Sequence, residues 1–227
     1  MSESATAGEQ IDLRPLLPPV RDQGARGTCL AFAITAAHEI ARAAGSAVSQ
    51  VFSEEVLHWG CKKLGKHKTG ASFPSADAAL SQWGQPLAHI WPYDGNRDEQ
   101  AASYEPPAHA IDAVNCFKAK LSPVKADIEE IKQLLRNGQA VVIIVKMGNG
   151  FFTAVDGHVT VPAATDIIPD THAILLVGFV DDSSPDQGHF IFRNSWGADW
   201  GDGGYGYLPY EYVTQYGLRA KFIEPLI

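Results

Sequence analysis

Residues 20–34 read VRDQGARGTCLAFAI, and this stretch decides the fold of the chain. Gly24 and Gly27 predict a tight loop just before the only cysteine of the segment, Cys29. From Thr28 to about Ala44 the sequence is rich in helix formers and carries almost no charge in its first two turns. A helix with so apolar a start is expected to be buried, with Cys29 at its N-terminal end.

The position of Cys29 suits a nucleophile. A thiol attacks as thiolate, and the unpaired amides of a helix N-terminus together with a neighbouring imidazolium lower the pKa of a cysteine. Taken alone, Cys29 is better interpreted as a small buried hydrophobic residue, as most single cysteines are. Gln23, six residues upstream, favours catalysis, because its carboxamide and the Cys29 amide can stabilise the oxyanion of a tetrahedral intermediate.

Two residues far along the chain complete a candidate triad. His172 opens the apolar run HAILLVGF and Asn194 ends the run FIFRN, so both are predicted at strand ends that a connecting loop can bring together. An Asn amide facing a His ring fixes the orientation of the imidazole. Trp196 can cover that hydrogen bond from water. The alternatives, a structural strand-end histidine and a core tryptophan, stay open at this point.

The rest of the chain predicts an α+β arrangement, in which a helical first half is followed by a mainly antiparallel sheet. Further helices are predicted from a cap at Ser53 toward Trp59, from Pro74 or Ser75 to Trp83, and over Asp127 to Arg136. Strands are predicted at residues 109–118, 141–146, 173–180, 189–194 and 204–208.

Composition narrows the function classes. The formal net charge of −8 and the pI near 5.4 argue against a nucleic-acid partner. No apolar run is long enough for a membrane span, and residues 1–10 do not read as a secretory signal. Three cysteines, Cys29, Cys61 and Cys116, do not suggest a disulfide framework. We therefore expect a reducing compartment, the cytoplasm, with neither nucleic acid nor membrane as a partner.

The motifs together resemble the papain-like cysteine peptidases. PVRDQGARGTCLAFA is similar to that family's nucleophile motif, THAILLVGF to its histidine strand and RNSWGADWGDGGYGYL to its asparagine motif, in the same order along the chain. The resemblance implies a two-lobed fold, with a helical lobe over about residues 20–105, a β-barrel-like lobe over about residues 106–227 and a substrate cleft between them. It implies a mobile tail at residues 1–12 and a single catalytic domain at residues 13–227. It also assigns catalytic roles to Gln23, Cys29, His172 and Asn194.

The resemblance places substrate contacts and marks departures from the family. The loop before Pro74 would offer its backbone to an extended peptide at Ala71, Ser72 and Phe73, with Pro74, and Trp196 would also lie at the substrate site. Ala71-Ser72 stands where a glycine pair is usual, which would narrow the cleft. Arg26 stands where the family has a cysteine, so its usual bridge is missing. The chain looks like a minimal, bacterial-type member without a long prosegment, which makes a regulatory protein partner one way to restrain activity.

We expect the chain to hydrolyse peptide bonds through a thioester acyl-enzyme on Cys29, with His172 as general acid and base, but other functions compete with this one. The same acyl-enzyme would serve a peptide ligase or transamidase, since the acceptor is chosen by the shape of the cleft. A catalytically silent peptide-binding module on this scaffold is a third hypothesis. His58, Cys61 and His67 have a spacing that suits zinc but lack a second ligand pair, so we expect no metal and no cofactor. His158 is the alternative base to His172.

Overall fold

The computed structural model describes residues 8–43, 50–65, 70–182 and 187–224. Five helices and one antiparallel sheet form the framework of this part of the chain. The helices are α1 (Cys29–Ala43), α2 (Glu54–Leu64), α3 (Phe73–Gln82), α4 (Ile128–Arg136) and α5 (Tyr210–Tyr216). The strands are β1 (Gln10–Asp12), β2 (Leu121–Val124), β3 (Val141–Gly148), β4 (Ile167–Asp181), β5 (Gly188–Arg193), β6 (Tyr205–Pro209) and β7 (Gly217–Ile223). The predicted α+β class is confirmed.

The sheet has the strand order β2-β7-β3-β4-β5-β6, and every neighbouring pair is antiparallel. Residues 141–143 of β3 and 172–179 of β4 are buried, and both runs are rich in β-branched residues or leucine, whereas the first five residues of β4 are partly or fully exposed. Helix α1 packs against β4, β3 and β7 and joins the same core. Its apolar first turns are buried as the sequence predicts.

Strand β1 corrects the prediction for the start of the chain. Gln10–Asp12 was expected within a mobile tail, but it pairs with β4, with Asp12 opposite Gly178. A side chain at Gly178 could not be tolerated there, since a Cβ atom would lie 2.3 Å from the carbonyl oxygen of Ile11. Of the predicted tail, residues 1–7 lie outside the described residues. The domain and lobe boundaries stay predictions.

Helix starts follow capping chemistry that the sequence carries. Ser53 caps α2 by accepting a hydrogen bond from the Val56 amide, and Ser72 forms a capping box with Ser75 at the start of α3. Asp127 caps α4 in the same way. The predicted strand at residues 109–118 is wrong: Ala108–Ala110 forms a 3-10 turn, and an Asp112 side chain accepts the Val114 amide in the turn that follows.

Among the described residues, no helix combines the length and the apolar character that crossing a membrane requires. All three cysteines are free thiols.

Candidate active site

Cys29 is the first residue of α1, so the sequence-predicted helix start is confirmed at the thiol itself. The backbone amides in this first turn have no carbonyl partner within the helix and point toward the N-terminal end. The backbone of Leu30 and that of Ala173 both contribute hydrogen bonds that favour the Cys29 thiolate. The helix therefore presents a partly exposed thiol with polar backbone groups around it.

His172 reaches the same point from the sheet. The sequence predicts His172 at the exposed end of a strand, but it lies inside β4, opposite Val145 of β3, and is only 3% exposed. Its ring interacts with the Cys29 side chain. Desolvation is the largest effect and lowers the pKa of His172, but the Cys29 hydrogen bond and charge, the Asn194 hydrogen bond and the charge of Asp170 together raise it above its ordinary value. The imidazolium form is thus favoured in this site.

The thiol responds in the complementary direction. Burial is the largest effect and raises the pKa of Cys29, yet the hydrogen bond and charge of His172, with the two backbone groups, bring it below its ordinary value. The other two thiols differ, since burial raises the pKa of Cys61 to about 12 and also raises that of Cys116. Cys29 is therefore the one cysteine of the chain whose surroundings favour the thiolate.

Asn194 fixes the ring of His172 from the side opposite the thiol. It follows β5 directly and accepts a hydrogen bond from His172 Nε2 at 2.8 Å through its Oδ1 atom. The Ser195 amide donates to the same oxygen at 2.9 Å, so the carboxamide is held in one orientation. With Nε2 donating to Asn194, the Nδ1 atom of His172 is the one left for Cys29.

Gln23 lies in the nucleophile loop and is held by Ser195. The backbone amide of Gln23 donates to the Ser195 carbonyl at 2.8 Å, and its side-chain Oε1 accepts a hydrogen bond from Ser195 Oγ at 2.5 Å. Its Nε2 donates one hydrogen bond, to the Arg26 carbonyl at 2.7 Å. A carboxamide carries two N–H groups, so among the described residues the second stays available for an oxyanion.

Trp196 covers the His172 side of the triad. Its ring lies 4.9 Å from the His172 ring, centroid to centroid, and Phe152 stacks on Trp196 at 5.5 Å. Trp200 supports the arrangement from an edge-on position and donates its indole N–H to the Phe151 carbonyl. The aromatic cluster keeps water from the hydrogen bond between His172 and Asn194.

A cleft of about 330 Å³ opens at the thiol. The loop before α3 forms one wall and the start of the His172 strand forms the other, with Ile144 and Ala173 between them. Among the described residues its lining comprises Gly27, Cys29, Leu30, Gly70, Ala71, Ile144, Asp170, Thr171 and Ala173. The nucleophile loop and the loop before α3 approach closely at this cleft, since a Cβ atom on Gly27 would lie 3.3 Å from the Gly70 amide nitrogen.

The substrate-contact residues predicted from the sequence fall into two groups. Ala71 lines the cleft, whereas Ser72 uses its side chain to cap α3 and Phe73 is buried in the core at 3% exposure. Pro74 is exposed in the first turn of α3. Sequence reasoning missed Asp170 and Ser195, although their positions next to the two triad motifs were a usable signal.

The other candidate ligands and bases have separate structural roles. His58 lies in α2 with its Nε2 atom 2.6 Å from Glu99 Oε2, and Cys61 belongs to the hydrophobic core. His67 lies outside the described residues. His158 stacks on Tyr207 at 4.7 Å.

Comparisons of the sequence and of the structure with known proteins point to the same protein family. The model of a family described as papain family cysteine protease matches residues 7–226. Peptidase 1 of Euroglyphus maynei is 31% identical over 210 residues, which cover 90% of this chain and 62% of the relative. The chain therefore spans under two thirds of that relative's length.

Two solved structures are similar over most of the chain. Xylellain, a cysteine protease from Xylella fastidiosa, is 26% identical with a TM-score of 0.84, and the match covers 100% of this chain and 90% of xylellain. The Carica candamarcensis cysteine protease CMS1MS2, solved in complex with E-64, is 25% identical with a TM-score of 0.72 and coverage of 94% and 97%. The two-lobed papain-like fold expected from the sequence is thereby confirmed.

Proposed function

Because the chain belongs to the papain family of cysteine proteases, we propose that it hydrolyses peptide bonds through a thioester on Cys29. The observation that carries the proposal is the contact between Cys29 and His172, in which each side chain favours the charged form of the other, at the mouth of an open cleft. A preformed thiolate and imidazolium are the nucleophile and the acid that amide cleavage needs.

In the first half of the reaction, the Cys29 thiolate attacks the carbonyl carbon of the peptide bond and forms a carbon–sulfur bond. The negative charge moves to the carbonyl oxygen, which accepts hydrogen bonds from the Cys29 amide and the Gln23 carboxamide. As the carbon–nitrogen bond breaks, His172 donates its Nδ1 proton to the leaving amine. The acyl group remains on Cys29 as a thioester.

In the second half, neutral His172 takes a proton from water, and the hydroxide attacks the thioester carbonyl. The carbon–sulfur bond breaks, a carboxylic acid leaves, and the thiolate and imidazolium are restored. Asn194 holds the ring in place through both halves. A ligase or transamidase would differ only here, with an amine in place of water.

The first test combines thiol labelling with substrate cleavage. Treatment with an epoxide of the E-64 type is expected to add one adduct to the wild type and none to Cys29→Ala, with slower addition to His172→Ala. Cys61→Ala and Cys116→Ala are matched controls that should label like the wild type. A fluorogenic peptide library then measures hydrolysis, and added amines reveal transfer as peptide–amine products.

The competing functions give different results. Labelling together with amine products in place of hydrolysis would favour the ligase. Failure of folded wild type to label, or equal labelling of all three cysteines, would contradict an activated Cys29 and favour the silent binding module.

A further inference from the structure

Arg26 is buried within the nucleophile loop, three residues before Cys29. Its side chain is 8% exposed, and its guanidinium donates to both oxygens of Glu55 at 2.9 Å each and to the Asp94 carbonyl at 2.8 Å. The rings of Tyr93 and Tyr104 lie 5.0 and 5.7 Å from the Arg26 guanidinium carbon. This is the bidentate, stacked geometry that only arginine provides.

Glu55, the partner of Arg26, is itself held in place by several contacts. It lies in the first turn of α2, its side chain is fully buried, and it also accepts from the Tyr104 hydroxyl at 2.7 Å and the Asp94 amide at 3.2 Å. Arg97 approaches the same carboxylate at 3.2 Å. The nucleophile loop is therefore anchored through one side chain to α2 and to the segment over residues 94–104.

The backbone of Arg26 links this anchor to the oxyanion site. Its carbonyl accepts the Gln23 Nε2–H at 2.7 Å and the Thr28 amide at 2.8 Å. The Tyr93 hydroxyl, next to the guanidinium, donates to the Gln23 carbonyl at 2.6 Å. The Gln23 carboxamide is thus held at its Nε2 atom by the Arg26 carbonyl and at its Oε1 atom by Ser195, while the Arg26 side chain ties the same loop to α2.

We propose that Arg26 is a positioning residue for the oxyanion site, acting through its own carbonyl on Gln23. One Gln23 N–H is held by Arg26, which directs the second N–H at the substrate oxygen. The inference rests on the proposed peptidase function and adds a residue that touches neither the substrate nor the triad.

This role separates two measurable steps. An oxyanion exists only after the thiolate has attacked a carbonyl, so a misdirected Gln23 lowers kcat and leaves KM nearly unchanged. Reaction of Cys29 with 2,2′-dipyridyl disulfide breaks a sulfur–sulfur bond, forms a new one and releases pyridinethione, so no carbonyl oxyanion is involved. That rate depends on the ionisation of Cys29 and His172 and does not require an oxyanion donor.

The experiment compares the wild type with Arg26→Gln, Arg26→Lys, Gln23→Ala and the double variant Gln23→Ala/Arg26→Gln on one fluorogenic peptide. Arg97→Gln is the matched control, because it removes a different cation from the same Glu55 carboxylate and lies outside the nucleophile loop. Arg26→Gln is expected to lower kcat by about tenfold to a hundredfold with KM within about threefold, since one oxyanion donor is worth roughly 10² to 10³ in kcat.

The remaining arms test the route through Gln23. The thiol reactivity of Arg26→Gln should equal that of the wild type. The kcat of Arg26→Lys should lie between those of the wild type and Arg26→Gln. The kcat of the double variant should be no lower than that of Gln23→Ala. Where Arg26→Gln leaves too little folded protein, the double variant Arg26→Gln/Glu55→Gln also removes the buried carboxylate that has lost its bidentate partner, and it carries the same expectation.

Three results would overturn the inference. The first is an unchanged kcat in folded Arg26 variants, and the second is a loss of thiol reactivity that parallels the loss of kcat. The third is a loss of kcat in the double variant equal to the product of the losses in Gln23→Ala and Arg26→Gln. Absence of peptide hydrolysis by the wild type would instead reject the proposed function, so the two failures are distinguishable.

Discussion

At the scale of single residues, the ionisation of the site rests on His172 and the groups that face it. Asp170 is exposed, lies two residues before His172 and helps to raise the pKa of that imidazole. Cys29 and Asn194 contribute more strongly to the same shift. The carboxylate of Asp170 is thus a modest, solvent-screened part of the field around the imidazolium.

Asp170→Asn is expected to lower the pKa of His172, because it removes a negative charge that favours the imidazolium. The alkaline limb of the kcat/KM profile then moves to lower pH, while the rate at the optimum stays within about fivefold, as befits an exposed charge. The profile is measured on a fluorogenic peptide, with Asp166→Asn on the same segment as control. An alkaline limb that stays in place would contradict the electrostatic role of Asp170.

Trp196 provides a second residue-scale prediction. Trp196→Ala opens the hydrogen bond between His172 and Asn194 to water, and we expect kcat to fall by roughly tenfold, about the worth of one hydrogen bond. Phe152→Ala, which removes an exposed ring from the far face of Trp196, is the control and should change kcat little. Equal losses in both variants would show that covering the bond is not what Trp196 does.

Cys29 and Asn194 could be predicted from the sequence because each lies beside an element boundary that the chain encodes, whereas His172 was found from its apolar run although it lies inside β4. Cys29 starts an apolar helix and Asn194 ends an apolar strand, and both boundaries are found in the structure. Arg26 could not be assigned a partner, since Glu55 lies 29 residues away and the contact exists only after α2 packs on the loop. Long-range ion pairs leave no local pattern.

At the scale of elements, the prediction from the sequence did not include β2, α5 and β7. Strand β2 is short, contains Pro123 and lies at the edge of the sheet, where proline is tolerated but weakens the strand signal. Helix α5 reads YEYVTQY, whose aromatic and β-branched residues favour a strand by propensity. Its burial against the sheet overrides that preference.

The junction of β1 with β4 gives an element-scale prediction. Gly178→Ala places a methyl group against the Ile11 carbonyl and should displace β1, with a loss of about 1–3 kcal/mol in the free energy of unfolding, typical of overpacking. Urea unfolding measures the loss. Gly95→Ala is the matched control, because a Cβ atom there meets its nearest neighbour at 3.8 Å. An unchanged unfolding midpoint for Gly178→Ala would mean that β1 contributes no stability.

At the scale of the whole molecule, buried charge shapes the response to pH. Arg21 in the nucleophile loop lies between Glu39 of α1 and Glu54 of α2 and contacts both carboxylates. Burial is the largest effect on Glu54 and raises its pKa from 4.5 to about 7, against the attraction of Arg21. One cation thus serves two carboxylates, and the fold favours keeping Glu54 protonated.

The sign of the resulting pH dependence follows from linkage. Between pH 4.5 and about 7 the unfolded chain ionises Glu54 while the folded chain retains its proton, so the free energy of unfolding falls as pH rises. The loss approaches about 1.4 kcal/mol for each pH unit in that window. The pH dependence disappears well below pH 4.5, where the carboxyl is protonated in both states.

Glu54→Gln removes this titration, so its stability relative to the wild type should increase from pH 4.5 to pH 7. Urea unfolding of both proteins across that window measures the difference. Glu211→Gln, an exposed carboxylate on α5, should keep a constant difference from the wild type. A constant difference for Glu54→Gln as well would reject the buried titration.

The three free thiols have a practical consequence for how the protein is handled. Since all three cysteines are free, a reducing agent has no disulfide to break in the fold and acts only on the oxidation state of these thiols. Oxidation by peroxide should likewise begin at Cys29, the one thiol held toward its anionic form, and convert it to a sulfenic acid that a thiol reductant reverses. The enzymatic activity would then depend on whether Cys29 is reduced or oxidised, while the fold stays the same.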